Sequence, residues 1–105
     1  MIRHIVFWKF ADDYTESENK ANALAIKEKL EALKSSIPGV VSIKVITSPL
    51  ASGSGDADVI LDSLFESEEA LNKYQVHPEH VKAGAFIRTV TKDRKCIDYH
   101  EDRMI

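Results

Sequence analysis

The sequence contains a single cysteine, Cys96, so no disulfide can form within the chain. Small secreted domains commonly depend on disulfides, and this sequence does not fit that class. No apolar run approaches the roughly 20 residues needed to span a bilayer. The first residues alternate between apolar and polar instead of forming the apolar segment of a signal peptide. We therefore expect a cytoplasmic protein with no membrane partner.

The sequence also lacks an excess of charge of either sign. Fourteen basic residues stand against 17 acidic ones, which gives a net charge of −3. A balance of this kind argues against a nucleic-acid partner. With 44% hydrophobic residues in a chain of 105, there is enough apolar material for one core but hardly for two. We expect a single domain over residues 1–105.

Hydrophobic periodicity predicts elements in the order β-α-β-β-α-β. Strand patterns cover residues 2–10, 40–47, 58–65 and 95–99, and helical patterns cover residues 16–37 and 67–91. A capping box, Thr15 with Glu18, opens the first helix, and Ser67 caps the second. Pro78 divides the second helical region, because proline disfavours helical geometry at the preceding residue. This order predicts an α+β, ferredoxin-like fold with a four-stranded antiparallel sheet, and residues 100–105 as a frayed tail.

The first predicted strand is apolar at its centre on both faces. The helices of one chain cover only one face of such a sheet, which leaves Ile5 and Phe7 on the other. We therefore predict a homodimer in which two sheets pack face to face as an α+β barrel. Arg3 and Lys9 on the same face keep open the alternative of a monomer with a semi-polar surface.

The densest polar cluster combines a phenol and two imidazoles within seven residues: Tyr74, His77 and His80. Histidine titrates near neutral pH and a tyrosine hydroxyl donates or accepts a hydrogen bond, so this combination is suited to proton transfer. The alternative is structural, with His77 as a helix cap and His80 as a solvated residue of the first turn.

The sequence predicts no metal site and no cofactor. The spacing of His77 and His80 is compatible with two ligands on one metal, and pairing of the first and last strands would bring His4 near His100. However, a structural zinc takes four ligands, and the chain has one thiol and no zinc-binding motif. Glycine-rich phosphate-binding motifs are absent as well. We expect Cys96 to be a buried, inert thiol.

Several segments resemble the stress-responsive A/B barrel family. They are IRHIVFWKF at residues 2–10, IPGV at 37–40, LFES at 64–67 and YQVHPEHV at 74–81. The resemblance follows the whole chain in the same order. It implies a ferredoxin-like fold and a homodimeric α+β barrel, in agreement with the periodicity.

The resemblance also implies positions for a site. In a plant polyketide cyclase of this fold, the catalytic tyrosine and histidine match Tyr74 and His80, and the cavity lies between the sheet and the helices. The ligand-binding positions implied for this chain are His4, Val6, Trp8, Ile26, Leu30, Leu61, Ser63, His77 and Phe86. Trp8 and Phe86 are larger than the matching side chains of the cyclase, which predicts a smaller cavity.

Three kinds of function follow from these observations. The first is a homodimeric barrel protein that binds a small apolar or aromatic molecule. The second is a cofactor-independent cyclase, lyase or isomerase, in which His80 removes a proton next to a carbonyl and Tyr74 stabilises the oxyanion. The third is a purely structural protein whose role depends on the stability of the dimer alone.

Overall fold

The computed structural model describes residues 1–101. It contains a four-stranded antiparallel sheet with helices on one face. The elements are β1 (Ile2–Phe10), α1 (Glu16–Glu31), α2 (Leu33–Ser36), β2 (Val40–Ile46), β3 (Val59–Phe65), α3 (Glu68–Val76), α4 (Pro78–Val90) and β4 (Thr91–His100). The strand order is β2-β3-β1-β4, and all three pairings are antiparallel. The predicted ferredoxin-like fold is confirmed. Most of the predicted frayed tail, residues 102–105, lies outside the described residues.

The predicted helix starts are present. The Thr15 hydroxyl accepts from the Glu18 N–H at 3.2 Å, and the Glu18 carboxylate accepts from the Thr15 N–H at 2.9 Å. This reciprocal capping box satisfies two backbone donors at the start of α1. The Ser67 hydroxyl accepts from the Ala70 N–H at 3.1 Å and caps α3 in the same way.

The first helical region is divided, whereas the sequence predicts one helix over residues 16–37. The division lies at Ala32, between α1 and α2. The Ser35 hydroxyl donates to the Ala32 carbonyl at 3.1 Å. Serine side chains that bond nearby carbonyls compete with the helical backbone, which accounts for a short second helix.

The last strand is twice as long as predicted, because β4 covers Thr91–His100 and includes the charged residues Lys92, Asp93 and Arg94. β4 is an edge strand with mostly exposed side chains, and charged side chains are common there. Asp93 has a φ of +53°, and the pairing with β1 shifts between Phe7 and Lys9. These features mark a β-bulge beside Arg94.

The two faces of the sheet differ in their surroundings. The helices cover the face that carries these buried residues: Ile2, His4, Val6, Trp8, Val59, Leu61, Ser63 and Phe65. The opposite face, called the outer face below, carries Arg3, Ile5, Phe7, Ile60, Asp62, Leu64, Ile97 and Tyr99. No described helix packs on this outer face. Separately, none of the helices within residues 1–101 has the length and apolarity to cross a membrane.

Candidate functional site

A cavity of about 340 Å³ lies between the helix-covered face of the sheet and α4. Six predicted residues contribute to its wall: His4, Val6, Trp8, Leu30, Leu61 and His80. Four residues of its wall were not predicted: Gly84, Ile87, Arg88 and Arg94. The wall is therefore apolar along the sheet and polar where His80 and the two arginines meet.

Other predicted positions, Tyr74 and His77 among them, lie outside this wall. Ile26 and Ser63 are fully buried in the core, and the Ser63 hydroxyl donates to the His4 carbonyl at 2.8 Å. Phe86 packs instead against Lys29, whose Nζ lies 5.0 Å from the ring centre. Its neighbour Ile87 occupies the cavity side of α4, since adjacent helical residues point about 100° apart.

The predicted proton-transfer residues separate into a pair and a cap. His77 is the cap, because its Nδ1 accepts from the Glu79 N–H at 3.1 Å at the start of α4. Tyr74 and His80 are the pair, with ring centres 4.4 Å apart and ring planes tilted by 49°. The structural alternative therefore describes His77, and it does not describe His80, which is half-buried at the cavity.

The Tyr74 side chain is fully buried. Its hydroxyl has no hydrogen-bond partner among the described residues. Burial raises the pKa of Tyr74 well above its ordinary value, since the charged phenolate is disfavoured away from water. The phenol therefore stays protonated and keeps a free donor.

The protonation pattern of His80 follows from one contact. Its Nδ1 lies 3.1 Å from the Gln75 carbonyl oxygen. A carbonyl only accepts, so Nδ1 carries the proton and the neutral ring keeps its lone pair on Nε2. Burial lowers the pKa of His80, the hydrogen bond to Gln75 partly opposes this effect, and the neighbouring His4, Arg94 and Arg88 add to it. His80 is thus a neutral base near pH 7.

The surroundings of His4 differ from those predicted. Strand register places Asp98 opposite His4, whereas His100 lies opposite Ile2. His4 Nδ1 is 2.5 Å from Asp98 Oδ1 and 3.5 Å from Cys96 Sγ. The prediction of a buried cysteine is wrong, because Cys96 is an exposed residue of the edge strand. Partial burial of its sulfur and the Asp98 carboxylate raise the pKa of the thiol.

Sequence reasoning missed the residues that β4 brings to this side of the sheet. The signal that could have found them is the spacing of Arg94, Cys96 and Asp98 at every second residue, which puts all three on one face of a strand. Arg88 follows Gly84 by four residues and therefore lies on the same helical face. Neither Arg88 nor Arg94 forms an ion pair with a carboxylate within residues 1–101.

A larger groove of about 760 Å³ lies elsewhere, along α1 and the end of β2. It is lined by Phe10, Glu16, Asn19, Lys20, Ala23, Leu24, Thr47 and Ser48. This groove contains neither a histidine nor a tyrosine, so the smaller cavity beside His80 is the candidate site.

The family model of the stress-responsive A/B barrel domain matches residues 2–101. The chain belongs to this family. The match covers every element from β1 to β4, and it confirms the resemblance seen in the sequence. A search of curated proteins gave no match.

Solved structures of the same fold agree with this assignment. A dimeric ferredoxin-like protein of unknown function from Bacteroides fragilis is 31% identical, with 93% of both chains covered and a TM-score of 0.83. A Dabb family protein from Mesorhizobium loti is 25% identical, with 94% of both chains covered and a TM-score of 0.68. A dimeric ferredoxin-like protein of unknown function from Thermobifida fusca is 23% identical, with 93% of this chain and 88% of that chain covered and a TM-score of 0.73. The last likeness shows the fold alone.

Proposed function

We propose that this chain forms a homodimer and binds a small, largely apolar carboxylate or carbonyl compound in the cavity beside His80. The observation that carries this proposal is the division of the cavity wall. Val6, Trp8 and Leu61 supply apolar surface, whereas Arg88 and Arg94 supply positive charge without an ion-pair partner among the described residues. An apolar molecule with one anionic or carbonyl oxygen complements both parts of this wall.

The size of the cavity limits the ligand. About 340 Å³ lies near the lower end of the roughly 300–1,000 Å³ that is typical of small-molecule pockets. A compact molecule of about ten non-hydrogen atoms fits this space. Trp8 fills part of the region, with only 6% of its surface exposed.

The outer face supports the homodimer. Ile97 and Tyr99 are 52% and 46% exposed, and Ile5 and Phe7 lie beside them on β1. Arg3 on this face is already paired with Asp62 at 2.8 Å, so its burial against a partner leaves no isolated charge. The similar proteins from Bacteroides fragilis and Thermobifida fusca are described as dimeric. A cytoplasmic location agrees with the single, unpaired Cys96.

Trp8 provides a direct test of ligand binding, because it is the one tryptophan of the chain and it lines the cavity. Octanoate is a suitable probe, since it has ten non-hydrogen atoms, is anionic and does not absorb where tryptophan does. We expect a saturable change in Trp8 fluorescence with octanoate. Octanol, which lacks the charge, should bind more weakly.

Variants identify the polar end of the cavity. Arg94→Gln and His80→Gln should each weaken octanoate binding by about 5-fold or more, as expected for the loss of a charged or hydrogen-bonded contact. His77→Gln is the matched control, because His77 caps α4 outside the cavity wall, and it should bind octanoate like the wild type. A fluorescence change that does not saturate, or that is equal in His80→Gln, would contradict the proposal.

A second candidate function is proton transfer next to a carbonyl group. The observation that favours it is the hydrogen bond from His80 Nδ1 to the Gln75 carbonyl, which leaves Nε2 as an unprotonated base. Nε2 would remove the proton from the carbon next to a carbonyl, and the positive charges of Arg88 and Arg94 in the same wall would stabilise the enolate oxygen. The same proton then returns to carbon, or a solvent proton replaces it.

Deuterium exchange measures this step without knowledge of the natural substrate. In D₂O, the wild-type protein should exchange the hydrogens next to the carbonyl of 2-octanone faster than buffer alone, as seen by proton NMR. His80→Gln should reduce exchange to the buffer rate, whereas His77→Gln should retain it. If the wild-type protein exchanges these hydrogens no faster than buffer alone, proton transfer is contradicted and ligand binding alone is left as the proposed function.

A further inference from the structure

Three side chains that bind metals in other proteins meet where β1 pairs with β4. His4 lies opposite Asp98, and Cys96 follows two residues earlier on the same face of β4. One ligand atom from each residue lies within 4.8 Å of the other two. Cys96 and Asp98 follow His4 by 92 and 94 positions in the sequence, so only the register of β1 and β4 brings the three residues together.

We propose that His4 Nδ1, Cys96 Sγ and Asp98 Oδ1 form a binding site for Zn²⁺. This proposal goes beyond the proposed function, because Cys96 and Asp98 are not part of the cavity wall. An imidazole nitrogen, a thiolate and a carboxylate are all common zinc ligands, whereas Mg²⁺ and Ca²⁺ prefer sites made of oxygen atoms alone.

The distances among the three atoms resemble one face of a tetrahedral site. Around Zn²⁺ with ordinary bond lengths, sulfur is separated from nitrogen or oxygen by roughly 3.5 Å, and nitrogen from oxygen by roughly 3.3 Å. Here Cys96 Sγ lies 3.5 Å from His4 Nδ1 and 3.7 Å from Asp98 Oδ1. His4 Nδ1 and Asp98 Oδ1 are 2.5 Å apart, so the carboxylate must withdraw by roughly 0.8 Å.

The surroundings permit this adjustment. The Asp98 side chain is 42% exposed on an edge strand, with solvent on its open side, whereas His4 is 2% exposed. A buried histidine and a solvent-exposed carboxylate allow the ion to enter from solvent. The distances from Cys96 Sγ to the His4 nitrogen and the Asp98 oxygen already match those expected around zinc, so only the carboxylate needs to move.

The charges of the ion and its three ligands also balance, with the Arg94 guanidinium beside Cys96 outside this set. On binding, the Cys96 thiol loses its proton to solvent, and the His4 proton moves from Nδ1 to Nε2. One thiolate and one carboxylate then neutralise the two positive charges of the ion. Three protein ligands leave the fourth tetrahedral position to water, which is the arrangement of catalytic zinc sites.

Titration of the full-length, untagged chain after removal of metals with a chelator tests the site. We expect one Zn²⁺ per chain by calorimetry. We also expect Co²⁺ to bind there with a near-ultraviolet thiolate-to-cobalt absorption band. Cys96→Ser should abolish that band, and both Cys96→Ser and Asp98→Asn should weaken Zn²⁺ binding more than about 10-fold, since even outer partners of metal ligands contribute that much.

Glu69→Gln is the control, because Glu69 is an exposed carboxylate of α3, outside the sheet. It should bind Zn²⁺ like the wild type. Circular dichroism confirms that each variant is folded, which is expected because Cys96 and Asp98 are exposed. Any of three results would overturn the proposal. They are no Zn²⁺ binding at millimolar concentration, unchanged Zn²⁺ binding in both Cys96→Ser and Asp98→Asn, and cobalt spectra without a thiolate band.

Discussion

The ring of Tyr74 contacts the ring of His80, with 4.4 Å between their centres. The two residues come from consecutive helices, α3 and α4, which are separated at His77. The contact joins a fully buried phenol to a half-buried imidazole at the cavity. A substitution of either residue is therefore expected to affect the other ring. The effects on stability and on the chemistry of the site can be measured separately.

Removal of the Tyr74 hydroxyl should separate stability from binding. The hydroxyl is buried and has no partner among the described residues, so Tyr74→Phe should keep or raise the free energy of unfolding, by up to about 1 kcal/mol. If the hydroxyl serves a ligand, the same variant slows the exchange of 2-octanone. Urea denaturation and deuterium exchange measure the two effects. A loss of more than about 1 kcal/mol would show that the hydroxyl is needed for the fold.

The lowered pKa of His80 makes stability depend on pH. Burial lowers the pKa of His80 in the folded protein below the ordinary value of 6.5, so the unfolded chain binds more protons just below pH 6.5. The free energy of unfolding should therefore fall as the pH falls from 6.5 through the lower folded pKa. His80→Gln should flatten this slope. Urea denaturation between about pH 5 and 7 checks this, because carboxyl groups such as Glu31 act at lower pH. If His80→Gln leaves the dependence of the free energy of unfolding on pH unchanged, His80 is not the group that causes it.

Gly39 should tolerate no side chain. Its φ is +88°, and an added Cβ would lie 2.7 Å from the Cβ of Ala70. Gly39→Ala should lower the free energy of unfolding by about 1–3 kcal/mol, since it combines backbone strain with a clash. Gly55→Ala is the matched control, because an added Cβ there meets no atom within 4 Å. Equal melting temperatures for the two variants would contradict the close approach of Gly39 to Ala70 in α3.

The outer face should mediate the homodimer. Phe7 lies on this face, between Ile60 and Lys95 in the neighbouring strands. Phe7→Asp should convert the dimer to a monomer or unfold it, because an unpaired buried charge costs several kcal/mol. Analytical ultracentrifugation at micromolar concentration measures the mass. Val76→Asp is the control, since Val76 is 75% exposed at the end of α3 and should leave the dimer intact. A monomeric wild type would contradict the proposed assembly.

The elements of the fold could be predicted because their signals are local. Alternation in β1 and β3, the capping box at Thr15 and the break at Pro78 each depend on a few neighbouring residues. The length of β4 could not be predicted in this way. Lys92, Asp93 and Arg94 do not show a strand pattern in the sequence, and only pairing with β1 makes them part of an edge strand.

The candidate site was predicted less completely, for a physical reason. Tyr74 and His80 are six residues apart, so the sequence indicates their proximity. Asp98 meets His4 only through the register of β1 and β4, and a shift of two residues would have placed His100 there instead. Similarly, Phe86 and Ile87 are equally apolar, and the rotation of α4 decides which of them lines the cavity.

Proton NMR of the His80 ring tests the proposed ligand site most directly. With a chelator present to exclude metals, the titration of the His80 ring is followed in the absence and presence of saturating octanoate. A carboxylate held beside the imidazole favours its charged form, so octanoate should raise the pKa of His80. The ring of His77, which caps α4, should show no response to octanoate. A His80 titration that is the same with and without octanoate would contradict the ligand site.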